Sequence, residues 1–408
     1  MPELAINGGE PIRDKKFPSW PVWGNEEKEL INKVIDSGKW GYPNWKYVPE
    51  FEKSFAVYQD ANYGVCFNSG TSALMGALWA AGVSPGDEVI LPAYTFVATA
   101  SAVLLLGAVP VFADIEDNTF HLDVKSVESF LTPKARAVMA VHIGGRSADM
   151  SALKDLCNRY ELKLIEDAAQ AWGAEWEHNR VGALGDAGIF SFQSSKNLTS
   201  AEGGIVLTND KETADYLMAY VNCGRVEGKP KYEHYYLGGN FRLSDLNGSI
   251  LMAQFKRYPE MHRQRRENAH ILDEGLKKIE FITPVNEDDL ATISGFHFYL
   301  IRYDPDLLEG ISKFRIIEAL QKEGIPAHPG YTIPLYRQPA FLNGAFGSRG
   351  KIVEKYMDYS KIFLPETECV CNEEGIWLSQ TLLLGDEDDM HDIVNAFKKI
   401  RDNYKELM

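Results

Sequence analysis

The chain has 408 residues, more than one ordinary hydrophobic core supports, so we expect two domains. Its composition, with 45% hydrophobic and 25% charged residues, is typical of a globular protein. A formal net charge of -16 argues against nucleic acid as a partner, because binding a phosphate backbone requires a basic surface.

The cysteines do not have the spacing of a zinc or redox motif, so we expect reduced thiols and no metal site. No basic segment leads into an apolar one near the first residue, and no apolar run is long enough to cross a bilayer. We therefore expect a cytoplasmic protein without a membrane partner. The five cysteines are Cys66, Cys157, Cys223, Cys369 and Cys371.

Short apolar runs alternate with segments of helical apolar spacing over roughly residues 62–223. This alternation predicts an α/β fold with a mostly parallel sheet, in which ligands bind at the carboxyl ends of the strands. The predicted helices are 72–81, 97–106 and 150–160. The predicted strands are 65–67, 88–91, 109–112, 137–143, 163–166, 188–192 and 204–207.

The pattern changes after a long predicted helix at 244–276. Strands at 281–285 and 295–303 and helices at 312–323 and 388–403 predict a smaller α+β unit. We therefore divide the chain into a large domain at 1–250, with an N-terminal arm at 1–24, and a segment at 251–408. That second segment comprises the connecting helix and the small C-terminal domain.

A turn at residues 68–72 lies between the first predicted strand and a helix. Gly70 permits a tight turn, and the free amides and dipole of the helix start favour an anion such as phosphate. Thr71 and Ser72 add hydroxyl groups. The alternative is a turn that only caps the helix.

The strand at 163–166 leads directly into Asp167. Because side chains alternate across a strand, Glu166 and Asp167 face opposite sides. An Asp at this position can pair with a cationic ring nitrogen of a cofactor. Gln170 reaches the same ring if the chain continues as a helix. A capping Asp followed by a surface Gln is the other interpretation.

Lys196 lies in a loop rich in Ser, Asn and Gly, a few residues after the strand at 188–192. A lysine in such a loop is usually solvated. A lysine that forms a Schiff base needs a lowered pKa and must face a carbonyl. Ser191 precedes it by five residues and offers a phosphate contact.

Phe96 follows the strand at 88–91 and Pro92. An aromatic ring in a carboxyl-end loop can stack on a flat cofactor. Burial in the core is the alternative for this side chain.

These segments, in this order and spacing, resemble the DegT/DnrJ/EryC1/StrS family of sugar aminotransferases, which are fold type I pyridoxal-phosphate (PLP) enzymes. The similarity covers nearly the whole chain. It is most specific in Glu-Asp-Ala-Ala-Gln at 166–170 and Phe-Ser-Phe-Gln-Ser-Ser-Lys at 190–196. The resemblance implies a mostly parallel seven-stranded sheet in the large domain and a smaller C-terminal α+β domain.

The resemblance also implies a role for each site residue. Lys196 forms the internal aldimine with PLP and shuttles the proton, and Asp167 pairs with the pyridine nitrogen. By the same resemblance, Gln170 contacts the ring hydroxyl and Phe96 stacks on the ring face. The residues implied to bind the phosphate are Gly70, Thr71, Ser72 and Ser191. The resemblance further implies a homodimer with shared active sites, in which Asn240 contacts the partner subunit's phosphate. His328 and Tyr331 lie where many relatives have a substrate-side His-Tyr pair, although here the order is His328-Pro329-Gly330-Tyr331.

The implied reaction is a ping-pong transfer of an amino group from glutamate or glutamine to a keto-sugar or keto-cyclitol. Relatives that dehydrate sugars carry His where Lys196 stands, so transamination is favoured. The segments around Lys196 and residues 330–336 resemble the branch that acts on scyllo-inosose-type cyclitols. The same branch includes 3-amino-5-hydroxybenzoate synthases, a dehydrating and aromatising alternative. A PLP-binding regulatory or partner protein without turnover is the second alternative.

Overall fold

The computed structural model describes residues 3–285, 289–349, 353 and 357–408. A seven-stranded sheet fills the first half of this part of the chain, in the order β1-β9-β8-β5-β4-β2-β3. Neighbouring strands are parallel except at β9, which is antiparallel to both β1 and β8. The strands are β1 (Tyr63–Phe67), β2 (Glu88–Pro92), β3 (Val109–Ala113), β4 (Ala135–Val141), β5 (Lys163–Asp167), β8 (Ala187–Ser191) and β9 (Gly204–Thr208).

A second sheet of four antiparallel strands lies later in the chain, in the order β10-β11-β13-β12. Its strands are β10 (Ile282–Pro284), β11 (Phe298–Tyr303), β12 (Ala327–His328) and β13 (Gly375–Ser379). A two-stranded hairpin consists of β6 (Glu175–Trp176) and β7 (Asn179–Arg180).

Helices cover both sheets, and several begin at Asp or Ser side chains that cap the first turn, as at Asp149 and Ser244. Those of the first half are α1 (Asn25–Ser37), α2 (Tyr47–Tyr58), α3 (Gly70–Ala80), α4 (Val97–Leu105), α5 (Val124–Ser129), α6 (Met150–Arg159) and α7 (Lys211–Val221). Those of the second half are α8 (Asp245–Leu276), α9 (Lys313–Lys322), α10 (Pro339–Leu342), α11 (Pro365–Cys369) and α12 (Glu387–Asn403).

Alternation along the buried strands produces two apolar layers, one on each face of the large sheet. On β2, Ile90 packs in one layer, whereas Val89 and Leu91 pack in the other. A third core surrounds the second sheet, and a small fourth cluster that includes Tyr94 and Trp377 joins the two sheets. This aromatic junction places residues of both sheets around one cavity.

The fold type I α/β architecture implied by the sequence is confirmed, and the predicted strands and helices all occur with small shifts at their ends. The strand predicted at 295–303 begins three residues later, at Phe298. Strand β4, predicted at 137–143, begins and ends two residues earlier. It ends at Val141 because a turn at Ile143–Gly145 follows, with Gly144 and Gly145 at φ 67° and 97°.

The division of the chain at residue 250 stays a prediction. Helix α8 spans that position. The predicted N-terminal arm packs against the later half, where Leu4 enters the third core and Arg13 pairs with Asp389 at 2.7 Å. The arm therefore ties the two ends of the chain together.

Candidate active site

A cavity of about 460 Å³ lies where the carboxyl ends of the parallel strands meet the second sheet. Its volume is within the range of about 300–1,000 Å³ that is usual for small-molecule sites. The wall combines Asp167 and Lys196 from the large sheet's side with His297 and Trp377 from the second sheet. Residues far apart in the sequence therefore share one site.

Lys196 lies in the turn after β8, where its N–H donates to the Gln193 carbonyl at 2.9 Å. Its side chain lines the cavity. Burial lowers its pKa to about 8, against the opposing effect of the Asp167 carboxylate. The residue is half-buried in the cavity wall, so a fully solvated loop lysine, the ordinary alternative from sequence, does not describe this position.

Asp167 ends β5 and is 6% exposed. Its Oδ2 accepts a hydrogen bond from Thr99 Oγ at 2.8 Å, and its Oδ1 accepts one from the Ala169 N–H at 3.2 Å. Thr95 Oγ lies 3.0 Å from Thr99 Oγ and completes a chain of hydroxyl groups. Burial raises the pKa of this carboxyl, although Thr99, Ala169 and Lys196 oppose the increase. The carboxylate is thus fixed in place and favours a cationic partner.

Glu166, the neighbouring residue, faces the opposite side of the strand as expected. Its carboxylate accepts hydrogen bonds from the backbone N–H groups of Gly182, Leu184 and Gly185 and from His142 Nε2. This carboxylate is buried and structural, whereas Asp167 faces the cavity.

The turn at 68–72 does cap helix α3, because Ser69 Oγ accepts from the Ser72 N–H at 3.1 Å. Gly70 and Thr71 nevertheless line the cavity together with Ser191. A Cβ atom on Gly70 would lie 2.9 Å from Ser191 Cβ, so only glycine allows this approach of β8 and α3. Ser72 is not among the lining residues, since its hydroxyl donates to Asn68 Oδ1 at 2.7 Å.

Phe96 precedes helix α4 and is 58% exposed, so the alternative of burial in the core is wrong. Its side chain lines the cavity, as does that of Gln170. The segment carrying Gln170 is a turn rather than a helix, closed by the Ala171 N–H on the Ala168 carbonyl at 2.9 Å. Gln170 Oε1 accepts from the Gly144 N–H at 2.7 Å, which turns its amide group toward Tyr331.

Of the two candidate substrate residues, Tyr331 and His328, one lines the cavity and the other does not. Tyr331 lines the cavity, and its ring packs edge-on against Tyr94 and Trp377, with centroid distances of 5.4 and 4.8 Å. His328 is exposed on β12 and lies outside the cavity wall. Asn240 is also exposed and does not line this cavity.

The wall residues that were not predicted include Thr95, His297 and Trp377. His297 and Trp377 are more than a hundred residues away from Asp167 in the chain, so no local motif links them to the site. Thr95 and Thr99 lie four residues apart, a spacing that the start of a helix brings together.

These side chains fit a PLP molecule. The buried Asp167 carboxylate suits a protonated ring nitrogen, and the lowered pKa of Lys196 provides a free amine for the cofactor's carbonyl. The start of helix α3, opened by Gly70, suits a phosphate group.

Among the described residues, no group of three or more His, Cys, Asp or Glu side chains is arranged to hold a metal ion. In the same part of the chain, no helix combines the length and apolarity needed to span a membrane.

Comparisons with known proteins agree with this geometry. The sequence profile of the DegT/DnrJ/EryC1/StrS aminotransferase family matches residues 21–376. A putative L-glutamine:3-amino-2,3-dideoxy-scyllo-inosose aminotransferase of Streptoalloteichus tenebrarius is 37% identical, over 99% of both chains. The L-glutamine:2-deoxy-scyllo-inosose aminotransferase of Micromonospora echinospora is 35% identical over 100% of both chains.

The fold is similar to that of the crystal structure of 3-amino-5-hydroxybenzoic acid synthase. The TM-score is 0.85 at 30% identity, covering 97% of this chain and 100% of that one. The sequence profile, the full-length relatives and the fold are all consistent with one family. The chain therefore belongs to the DegT/DnrJ/EryC1/StrS aminotransferase family and is an aminotransferase, which implies PLP as its cofactor.

Proposed function

We propose that this enzyme moves the amino group of L-glutamine to the ketone of a cyclitol that is not linked to a nucleotide. The observation that carries the proposal is the meeting of Lys196 and Asp167 in one cavity. The names of two full-length relatives supply the donor and the acceptor class.

In this proposal PLP, when bound, supplies the electron sink of the reaction. Lys196 binds the cofactor's carbonyl and, once displaced by the donor, moves a proton at the donor's α-carbon. Asp167 holds the proton on the ring nitrogen, and Thr99 fixes the carboxylate for that task.

We assign the remaining cofactor contacts from the positions of the residues in the cavity wall. Phe96 covers a face of the ring and Gln170 contacts the ring hydroxyl, since both line the cavity. Thr71 and Ser191 bind the phosphate with the α3 amides that Gly70 leaves open. Ser72 supports the same turn through its bond to Asn68. Tyr331 faces the substrate.

The charges around the cavity favour an unlinked cyclitol over a nucleotide-linked sugar. A nucleotide-linked sugar carries a diphosphate, which proteins usually bind with Arg or Lys. Among the described wall residues there is no arginine, and the lysine is Lys196 itself. Hydroxyl, amide and aromatic groups of Tyr331, Gln193 and Trp377 suit a neutral polyol.

We further propose a cytoplasmic homodimer in which Asn240 of each subunit contacts the other subunit's cofactor phosphate. Large apolar side chains in the segment that leads to Asn240 support this, because Tyr232 and Leu237 are 79% and 86% exposed. The 3-amino-5-hydroxybenzoate synthase alternative is not favoured, since the relatives of 37% and 35% identity are named aminotransferases.

The test is a two-stage reaction with purified enzyme. L-Glutamine should first abolish the Schiff-base absorbance, and the aminated enzyme should then react with scyllo-inosose-type ketones but not with nucleotide-linked keto-sugars. Rapid turnover of a nucleotide-linked sugar would overturn the acceptor class. A bound cofactor unaffected by both glutamine and glutamate would overturn transamination, and would favour the regulatory alternative.

A further inference from the structure

His297 is the wall residue to which the proposed chemistry assigns no role. It precedes strand β11 and is 3% exposed. Its backbone is fixed on both sides, since its N–H donates to the Gly144 carbonyl at 2.8 Å and its carbonyl accepts from the Gln380 N–H at 3.1 Å. The imidazole ring packs against Phe298 and Trp172, with centroid distances of 4.3 and 5.8 Å. The ring is therefore held in one orientation at the cavity wall.

The hydrogen bonds around Asn197 determine which nitrogen of this ring carries a proton. Asn197 Nδ2 donates to the carbonyls of Gly295 and Phe296 at 2.9 and 3.1 Å. Because carbonyls only accept, the side-chain oxygen of Asn197 must point the other way, toward His297 Nδ1 at 2.9 Å. An amide oxygen also only accepts, so Nδ1 must be the protonated nitrogen.

The other nitrogen, Nε2, then carries a lone pair as long as the ring is neutral. Burial, with the nearby Lys196 and Arg265, holds the pKa of His297 well below its usual value. The charged groups that face the ring are those two cations, and no described carboxylate pairs with it. Among the described residues, Nε2 makes no hydrogen bond, and the side chain opens into the cavity that Lys196 lines.

We propose that His297 is a positioning residue for Lys196: its Nε2 accepts a hydrogen bond from Lys196 Nζ whenever that amine is not bonded to the cofactor. The inference rests on the proposed function, in which Lys196 is alternately bonded and free. Asn197, which follows Lys196 in the chain, fixes the imidazole ring through its hydrogen bond with Nδ1. The same turn therefore carries the amine of Lys196 and the residue that orients the hydrogen-bond acceptor of that amine. The hydrogen bond limits the rotation of the long lysine side chain and aims Nζ at the reacting carbon.

A matched pair of substitutions separates this role from simple packing. In His297→Asn the new amide nitrogen takes the place of Nδ1 and can still donate to Asn197, but the acceptor at Nε2 is lost. In His297→Gln the amide oxygen reaches the position of Nε2 instead. Packing alone would make the two variants similarly impaired, whereas positioning requires His297→Gln to be the better enzyme.

The kinetic measurement is the single-turnover rate with L-glutamine. We expect His297→Asn to lower that rate about tenfold to a hundredfold, which is at or below the low end of the range of about 10²–10⁴ for a proton-transfer group, because His297 acts through Lys196. His297→Gln should recover most of the loss. Equal losses in the two variants would overturn the inference. A wild-type enzyme inert to glutamine would overturn the proposed function and would leave the spectroscopic measurement decisive for His297.

The spectroscopic measurement is long-range ¹H–¹⁵N NMR of the histidine-labelled enzyme, loaded with either PLP or pyridoxamine phosphate. The resonance missing from His297→Asn should show a protonated Nδ1 and an unprotonated Nε2 near neutral pH. Its Nε2 shift should change between the two cofactor forms, because only the second frees the lysine, and Lys196→Met should remove that change. A protonated Nε2, or a shift that Lys196→Met leaves unaltered, would overturn the inference even if no variant folds well enough for kinetics.

Discussion

Two lysines with lowered pKa values, Lys196 and Lys313, show what distinguishes a reactive amine from a structural one. Burial lowers the pKa of both to about 8. Lys313 Nζ donates to the carbonyls of Pro329, Val370 and Cys371 and is 1% exposed, so it holds the loop that leads to Tyr331. Lys196 lines the cavity with Asp167. The surroundings of the amine, rather than its pKa, therefore identify the site.

The pKa of Lys196 predicts the pH dependence of cofactor capture. Only the neutral amine attacks a carbonyl, and burial moves the pKa from 10.5 down to about 8. The rate at which the apoenzyme forms a Schiff base with PLP should rise about tenfold per pH unit below that value, then level off. Stopped-flow absorbance measures this directly. A rate still rising steadily as the pH approaches 10.5 would show that the pKa of Lys196 is not lowered in this cavity.

At the scale of elements, the junction of β1, α3 and β8 places the turn at residues 68–72 against Ser191. Gly70 makes this possible, because its missing Cβ is what allows Ser191 to approach. Gly204 serves the same region, since a Cβ there would lie 2.5 Å from the Ser69 carbonyl oxygen. Close backbone contact, rather than a long side chain, forms this end of the cavity.

Gly70→Ala should therefore weaken PLP binding. Alanine is the better helix former by about 0.5–1 kcal/mol, so a loss of function here would come from crowding against Ser191 rather than from helix propensity. We expect an increase in the dissociation constant of about tenfold, equivalent to 1.4 kcal/mol, by fluorescence titration. The control is Gly24→Ala, where a Cβ meets nothing within 4 Å. Equal affinities for the two variants would contradict this account of the turn.

Local patterns single out Asp167, Lys196 and Ser191 as candidates, because each lies at the end of a buried strand, or shortly after one, whose apolar run is visible in the sequence. They did not locate Thr99, which lies within an apolar helix and whose bond to Asp167 spans 68 positions. Nor did they locate His297, because its bond to Asn197 spans 100 positions. Helices α1 and α2 were not predicted either. Contacts between distant segments, on which the site depends, leave no mark in local spacing.

At the scale of the whole molecule, the cavity lies between the two sheets, and hydrogen bonds between residues on both sides of the cavity hold the sheets together. Tyr94 from the large sheet's side accepts a hydrogen bond from Trp377 Nε1 of β13 at 3.0 Å. Asn197 joins the Lys196 turn to the segment before β11. Any movement of one sheet relative to the other would therefore change the surroundings of Lys196.

A shared active site predicts complementation between subunits. Lys196→Ala alone should be inactive, and Asn240→Ala alone should bind PLP weakly. Mixed dimers contain one site with both residues intact, so an equilibrated mixture should recover about a quarter of the wild-type activity. Activity no greater than that of the two variants assayed separately would contradict a role for Asn240 across the interface.

The central claim is that PLP is bonded to Lys196 in this cavity. Borohydride reduction of the holoenzyme, followed by digestion and peptide mass mapping, tests it most directly. The account predicts a pyridoxyl group on the peptide that contains Lys196 and none in Lys196→Ala. Lys313→Met, which removes the other amine with a pKa of about 8, should retain the adduct. An adduct on Lys313, or no adduct on any lysine of a PLP-saturated enzyme, would contradict it.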